Sequence, residues 1–150
     1  MAWRSYMSET YEPWDPTGRI STPCAGALIE EDDNDLRIRL LFSQIVGGPV
    51  EDLLLATSWH LALMSHQEIA HPSLDGRLPQ CPRLTGRWEN YCFPLIVVRE
   101  SSWMASFPDS RLAPDGRTAF THYRIITLDR TVDLLTARDV KAEWGSPLQR

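Results

Sequence analysis

His122, Arg124, Asp129 and Asp133 are the residues of this chain whose types and spacing come nearest to chemistry. On an extended segment His122, Arg124, Ile126 and Leu128 share one face, and Tyr123, Ile125 and Thr127 share the other. A face that opens with His122 and Arg124 is not wholly core. It reads as the polar rim of a pocket, with Asp129 or Asp133 beyond it. A histidine beside a carboxylate is the minimum apparatus for general acid–base work, so His122 and Asp129 are catalytic candidates, with His60 as a third. The competing reading is a solvent-facing strand end with ordinary cross-strand polar pairs.

His60, His66 and His71, followed by Cys81 and Cys92, make up an inventory of donors that zinc could use. Their spacing argues against a metal. Helical ligands share a face three or four positions apart, whereas His60 to His66 is six and His66 to His71 is five. No metal site and no cofactor are expected. Nucleophiles lack context as well: no G-x-S-x-G elbow presents a serine, and Gly47-Gly48 lacks the later glycine and lysine of a phosphate loop. Cys92 precedes an apolar run and reads as a small core filler.

Binding is the better-furnished alternative. The net charge is −5, and much of the acid excess sits in Glu30, Glu31, Asp32, Asp33 and Asp35. That field opposes nucleic acid, whose affinity comes from cations neutralising phosphates, and favours a basic protein partner. Trp88, in a loop, and Trp103 and Arg99, flanking a charged turn, are residue types that anchor interfaces. Three cysteines (Cys24, Cys81, Cys92) cannot all pair within one chain, and no C-x-x-C occurs. With no apolar run long enough to cross a bilayer and no signal-peptide core at the start, a reducing, cytoplasmic setting and no membrane contact are expected. Met7 would serve as a start equally well, with the first six residues an extension.

The elements that must position these groups follow from pattern. Residues 1–35 read as a partly irregular N-terminal arm, broken by Pro13, Pro16 and Pro23, with Asp15-Pro16-Thr17-Gly18 fitting a type I turn. Arg37 and Arg39 alternate with Leu36, Ile38 and Leu40, which favours a strand over the helical stripe that also fits 36–46. Pro49, then Glu51 and Asp52, then helix formers through Met64, predict one main helix over 49–66 whose apolar residues cover more than one stripe, so that it is buried over a wide arc. Residues 71–90 read as loop. Leu95–Arg99 and Ser102–Ser106 read as a strand and its return. Phe120–Thr136 reads as a β-hairpin broken only at Asp129-Arg130, so that 94–136 forms a four-stranded meander. Thr136 and Asp139 have the spacing of a capping box, which allows a short helix before Gly145.

The expected fold is thus α+β: an antiparallel sheet of four or five strands covered on one face by the 49–66 helix, in one domain spanning 36–150. The expected function is non-catalytic partner binding, of the kind shown by an acidic inhibitor or immunity-type antagonist of a basic protein. The alternative is a small-molecule-binding domain or enzyme with a His/Asp-lined pocket between helix and sheet, walled by Trp59 or Trp103. A homo-oligomer built through an exposed sheet edge is compatible with both.

Overall fold

The structure is a computed structural model that describes residues 9–67, 81–108 and 119–148. His71 and the other residues of 68–80, and 109–118, which include most of the stretch read as a loop between Pro108 and Arg117, lie outside the described residues.

Among the described residues, nine antiparallel strands form two sheets. The strands are β1 (Thr10–Pro13), β2 (Ala27–Asp32), β3 (Asp35–Leu40), β4 (Asp52–Ser58), β5 (Ala62–Gln67), β6 (Leu95–Arg99), β7 (Thr121–Ile126), β8 (Arg130–Thr136) and β9 (Lys141–Gly145). One sheet has the order β1-β6-β7-β8-β5 and the other β2-β3-β4-β9. Among the described residues the only α-helical segment is the single turn α1 (Ser102–Ala105).

The expected α+β fold is therefore corrected to a mostly β architecture, and the main helix over 49–66 does not exist. That stretch is β4 and β5, one strand in each sheet. Its leucines sort by the two-residue period instead of the helical one. Leu53 and Leu55 are buried opposite Leu40 and Ile38 of β3, while Leu54 and Ala56 turn to the outer face beside Arg39 and Arg37. Ladder partners on both sides of β4 outweigh the helix preference of Leu and Ala, which is only tenths of a kcal/mol per residue.

Two smaller corrections have local causes. Ser102–Ser106 is not a return strand. Glu100 adopts φ 54°, which breaks β6, and the Ser101 side chain accepts the Met104 N–H to cap α1. The meander is therefore three strands, β6-β7-β8. The chain after Thr136 is not a helix either: Thr136 Oγ1 accepts the Arg138 N–H in a local turn, and β9 then pairs with β4. The 120–136 hairpin forms as the pattern predicts, whereas the strand read over 36–46 ends at Leu40 and gives way to a 3-10 turn at Phe42–Gln44. Thr127 organises the hairpin turn by accepting the Arg130 N–H at 3.0 Å. The stretch read as an arm supplies an edge strand to each sheet, β1 and β2.

One apolar core takes side chains from both sheets: Leu36, Ile38, Leu40, Leu53 and Leu55 from one, Leu95, Ile125, Val132 and Leu134 from the other. Trp14 against Tyr123 and Trp144 against Phe42 close its margins. The second face of the five-stranded sheet is buried too, and it carries the site. Register puts Tyr11, Val98, His122 and Leu135 in one row across it, and Ile96, Arg124, Asp133 and Met64 in the next.

Candidate functional site: a buried polar cluster and an acidic edge

Central strands of a sheet buried on both faces normally carry apolar residues on each. Here β7 and β8 place His122, Arg124 and Asp133 there instead. His122 is 1% exposed and Asp133 0%. Asp133 Oδ1 meets His122 Nε2 at 2.6 Å and accepts from Arg124 Nε at 2.9 Å. On the other side of the ring, His122 Nδ1 meets Ser101 Oγ at 2.7 Å. The tautomer that satisfies all three groups has Nε2–H donating to Asp133 and the Ser101 hydroxyl donating to Nδ1. Trp103 of α1 stands edge-on to the imidazole at 5.2 Å between ring centres and roofs it.

The cluster continues into the N-terminal segment. Glu9 accepts from Ser102 N and Ser102 Oγ, both at 2.7 Å, and from Tyr11 Oη at 2.9 Å. Arg124 lies over the Tyr11 ring at 5.4 Å. Burial is the largest influence on Arg124 and lowers its pKa, but the charge and hydrogen bonds of Asp133 and Tyr11 together outweigh it, and the net shift is upward. Burial, then the Glu9 hydrogen bond and charge, push the Tyr11 phenol up to about 12.

That shift has a measurable consequence. Below the ordinary tyrosine value of 10.0 the phenol is neutral in folded and unfolded chains alike. Between 10.0 and about 12 the unfolded chain loses the proton while the folded one keeps it, so stability falls as pH rises through that window. Urea unfolding from pH 9 upward should show the decline, and Tyr11→Phe should flatten part of it. An unchanged slope in that variant would assign the decline to other groups.

Ser101, His122 and Asp133 stand in the order of a nucleophile, base and orienting acid. The environment limits what that chain can do. Ser101 is 7% exposed, and its oxygen is already the acceptor that caps α1. A groove of about 640 Å³ lies on the outer face of the four-stranded sheet, lined by Leu28, Arg37, Arg39, Leu54, Lys141 and Leu148, and none of the three residues borders it.

The other candidates fall elsewhere. His60 pairs through Nε2 with Glu31 at 2.8 Å, so the structure gives it no partner in common with His122. Asp129 sits in the β7–β8 turn and accepts from Thr127 Oγ1, so the carboxylate joined to His122 is Asp133. Arg99 is exposed and pairs with Glu12. Trp88 is half-buried, edge-on to Tyr91, with the Arg87 guanidinium over its ring at 4.5 Å. Glu30, Glu31, Asp32 and Asp33 stand exposed at the end of the β2–β3 hairpin; Glu30 pairs with Arg37.

Sequence reasoning missed Ser101 and Glu9, and it offered Trp59 only as a wall of the pocket between helix and sheet. Trp59 is 61% exposed, takes φ 55°, and hydrogen-bonds through its N–H to Asn34 O at the acidic hairpin end. A bulky side chain held in the left-handed region is a costly arrangement that the surroundings must enforce. Nothing in the sequence signalled it, because the 49–66 pattern buried Trp59 in a helix.

The described residues thus define an antiparallel two-sheet β protein with an enclosed polar cluster and an acidic, aromatic edge. Compared with protein-family models, with curated proteins and with solved structures, the chain matches none. No helix among the described residues is long and apolar enough to cross a membrane.

Proposed function

We propose that this is a non-catalytic binding protein whose partner is a basic protein surface, engaged at the β2–β3 hairpin end and Trp59. The observation that carries this reading is the exposed tryptophan joined through its backbone to a turn of exposed carboxylates, Asp32, Asp33 and Asp35. Exposed carboxylates attract cations at long range, and an aromatic face binds a guanidinium or ammonium for about 0.5–1 kcal/mol at an exposed site, more once water is excluded.

The test is titration with an arginine-rich peptide followed by tryptophan fluorescence at low and high salt. Binding should weaken with salt and should drop sharply in an Asp32/Asp33/Asp35→Asn triple variant. A Glu51/Glu89/Glu143→Gln triple variant makes the same charge change elsewhere and should bind nearly as the parent does. Equal losses in both variants would reduce the effect to net charge and defeat the proposal. Trp59→Asn separates binding from folding. Asparagine tolerates the left-handed backbone, so stability should rise by about 0.5–1 kcal/mol while peptide binding falls.

A second reading has one observation in its favour, the Ser101–His122–Asp133 hydrogen-bond chain. It assigns Ser101 as nucleophile and His122 as base in an acyl-transfer enzyme. A fluorophosphonate probe tests it directly. Labelling at Ser101 that disappears in His122→Gln would favour catalysis; an unlabelled, folded protein would remove it.

A further inference from the structure

Leu28, Val50 and Leu148 are 48%, 81% and 55% exposed, and all three border one trough. Strand register builds its floor. Alternate residues of the four-stranded sheet turn outward, giving a row Leu28-Arg39-Leu54-Glu143 and, next along the strands, a row Glu30-Arg37-Ala56-Lys141. Those rows underlie the groove of about 640 Å³. Past Leu28 and Leu148, which line both parts, it runs into a second hollow of about 800 Å³ walled by Leu41, Ile45, Pro49 and Val50. The strand stretch from Ala56 back to Asp52 accounts for about 13 Å of its length, at ~3.3 Å per residue.

The two ends of the trough differ in chemistry. At the sheet end stand Arg37, Arg39 and Lys141. Two of these cations are already engaged: Arg37 with Glu30 at 2.9 Å, and Arg39 with Asp52 at 3.3 Å and with Ser146 O at 3.1 Å. Lys141 is exposed and has no ion-pair partner among the described residues. Glu143, the next outward-facing residue of β9, sets a carboxylate on the rim beside Leu54. At the 45–50 end the described lining holds no basic side chain, and its one carboxylate, Asp52, is buried and paired with Arg39. Between the ends, Leu28, Leu54 and Leu148 give an apolar waist, along which the aliphatic stem of Arg39 also lies.

We infer that this trough binds a single-chain carboxylic acid of the fatty-acid class, its carboxylate on Lys141 and its alkyl chain running over Leu54, between Leu28 and Leu148, toward Val50. The unpaired ammonium selects an anionic head, and it repels a cationic one. The head sits on the Ala56 side of Lys141, away from Glu143. An extended alkyl chain matches an apolar path that follows the strands and continues past them. A second copy of the protein is a poorer occupant, because two identical hollows set face to face leave a void where an interface packs as densely as an interior. None of Asp32, Asp33, Asp35 and Trp59 borders the trough, so binding here is separable from binding at the hairpin end.

The experiment titrates the full chain with dodecanoate below its micelle-forming concentration, by calorimetry, with light scattering to follow mass. Saturable binding of one dodecanoate per monomer is expected. Decanoate should bind about tenfold more weakly, since each buried methylene is worth about fourfold. Lys141→Gln should weaken dodecanoate by about fivefold and leave the uncharged dodecanol unchanged. Leu28→Glu puts a carboxylate at the waist and should abolish binding. Leu128→Glu makes the same change at a 46% exposed leucine in the β7–β8 turn and should bind as the parent does. Absence of saturable binding, or equal losses in the two glutamate variants, would overturn the site. Dodecyltrimethylammonium binding as tightly as dodecanoate, or a Lys141→Gln loss shared by dodecanol, would overturn the placement of the head. A dimeric parent that Leu28→Glu renders monomeric would give the trough to a second copy and overturn the ligand.

Discussion

Asp133→Ala should lower the unfolding free energy by about 3–5 kcal/mol, enough to unfold a protein of ordinary stability. Asp133 is wholly buried and is the acceptor shared by His122 and Arg124. Removing it leaves a guanidinium that is 3% exposed with no carboxylate beside it, and Arg124 Nη1 already lacks a hydrogen-bond partner among the described residues. An uncompensated buried charge costs far more than the pair contributes when intact. The measurement is urea unfolding: the midpoint should fall while the slope stays constant. Asp133→Asn keeps one acceptor oxygen and should lose less. Arg124→Met on the Asp133→Leu background, which removes both charges, should recover most of the loss. Failure of that double variant to recover would show that Asp133 matters through some contact other than the Arg124 charge.

Leu53→Ala should cost about 2–5 kcal/mol, whereas Leu54→Ala, one residue along, should cost under about 1 kcal/mol. Leu53 is 0% exposed and packs in the shared core, while Leu54 lies on the outer face beside Arg39. The contrast tests the main correction to the fold. In a helix buried over a wide arc, adjacent leucines would both face protein and their costs would be similar. In a strand they must differ, because successive side chains point to opposite faces. Equal losses at the two positions would refute the strand.

These expectations rest on different parts of the molecule. The enclosed cluster ties Glu9 and Tyr11 to α1, and α1 to β7 and β8, by hydrogen bonds that span most of the chain. The acidic hairpin end belongs to the β2–β3 pair of the four-stranded sheet, and Trp59 is tied to it through its N–H to Asn34 O. Disrupting the cluster should therefore unfold the protein, whereas neutralising the hairpin should change binding and leave folding nearly intact.

The alternation of Arg37 and Arg39 with Leu36, Ile38 and Leu40, and the β-branched arms around Asp129, determined two strand regions from local pattern alone. They did so because one face of each strand must be buried, which imprints a period of two on the sequence. The same local rules failed at 49–66, where Leu and Ala satisfy a helical pattern and a strand pattern together; only the vacant positions beside β3 and β8 decided between them. His122 with a nearby aspartate was legible as a pair of types, but the choice of Asp133 over Asp129 required the β7–β8 register. Ser101, Glu9 and the tie of Trp59 to Asn34 were beyond reach, since each joins residues whose contact exists only once the sheets have set the path of the chain. Sequence fixes what a residue can do; strand pairing across long separations fixes what it meets.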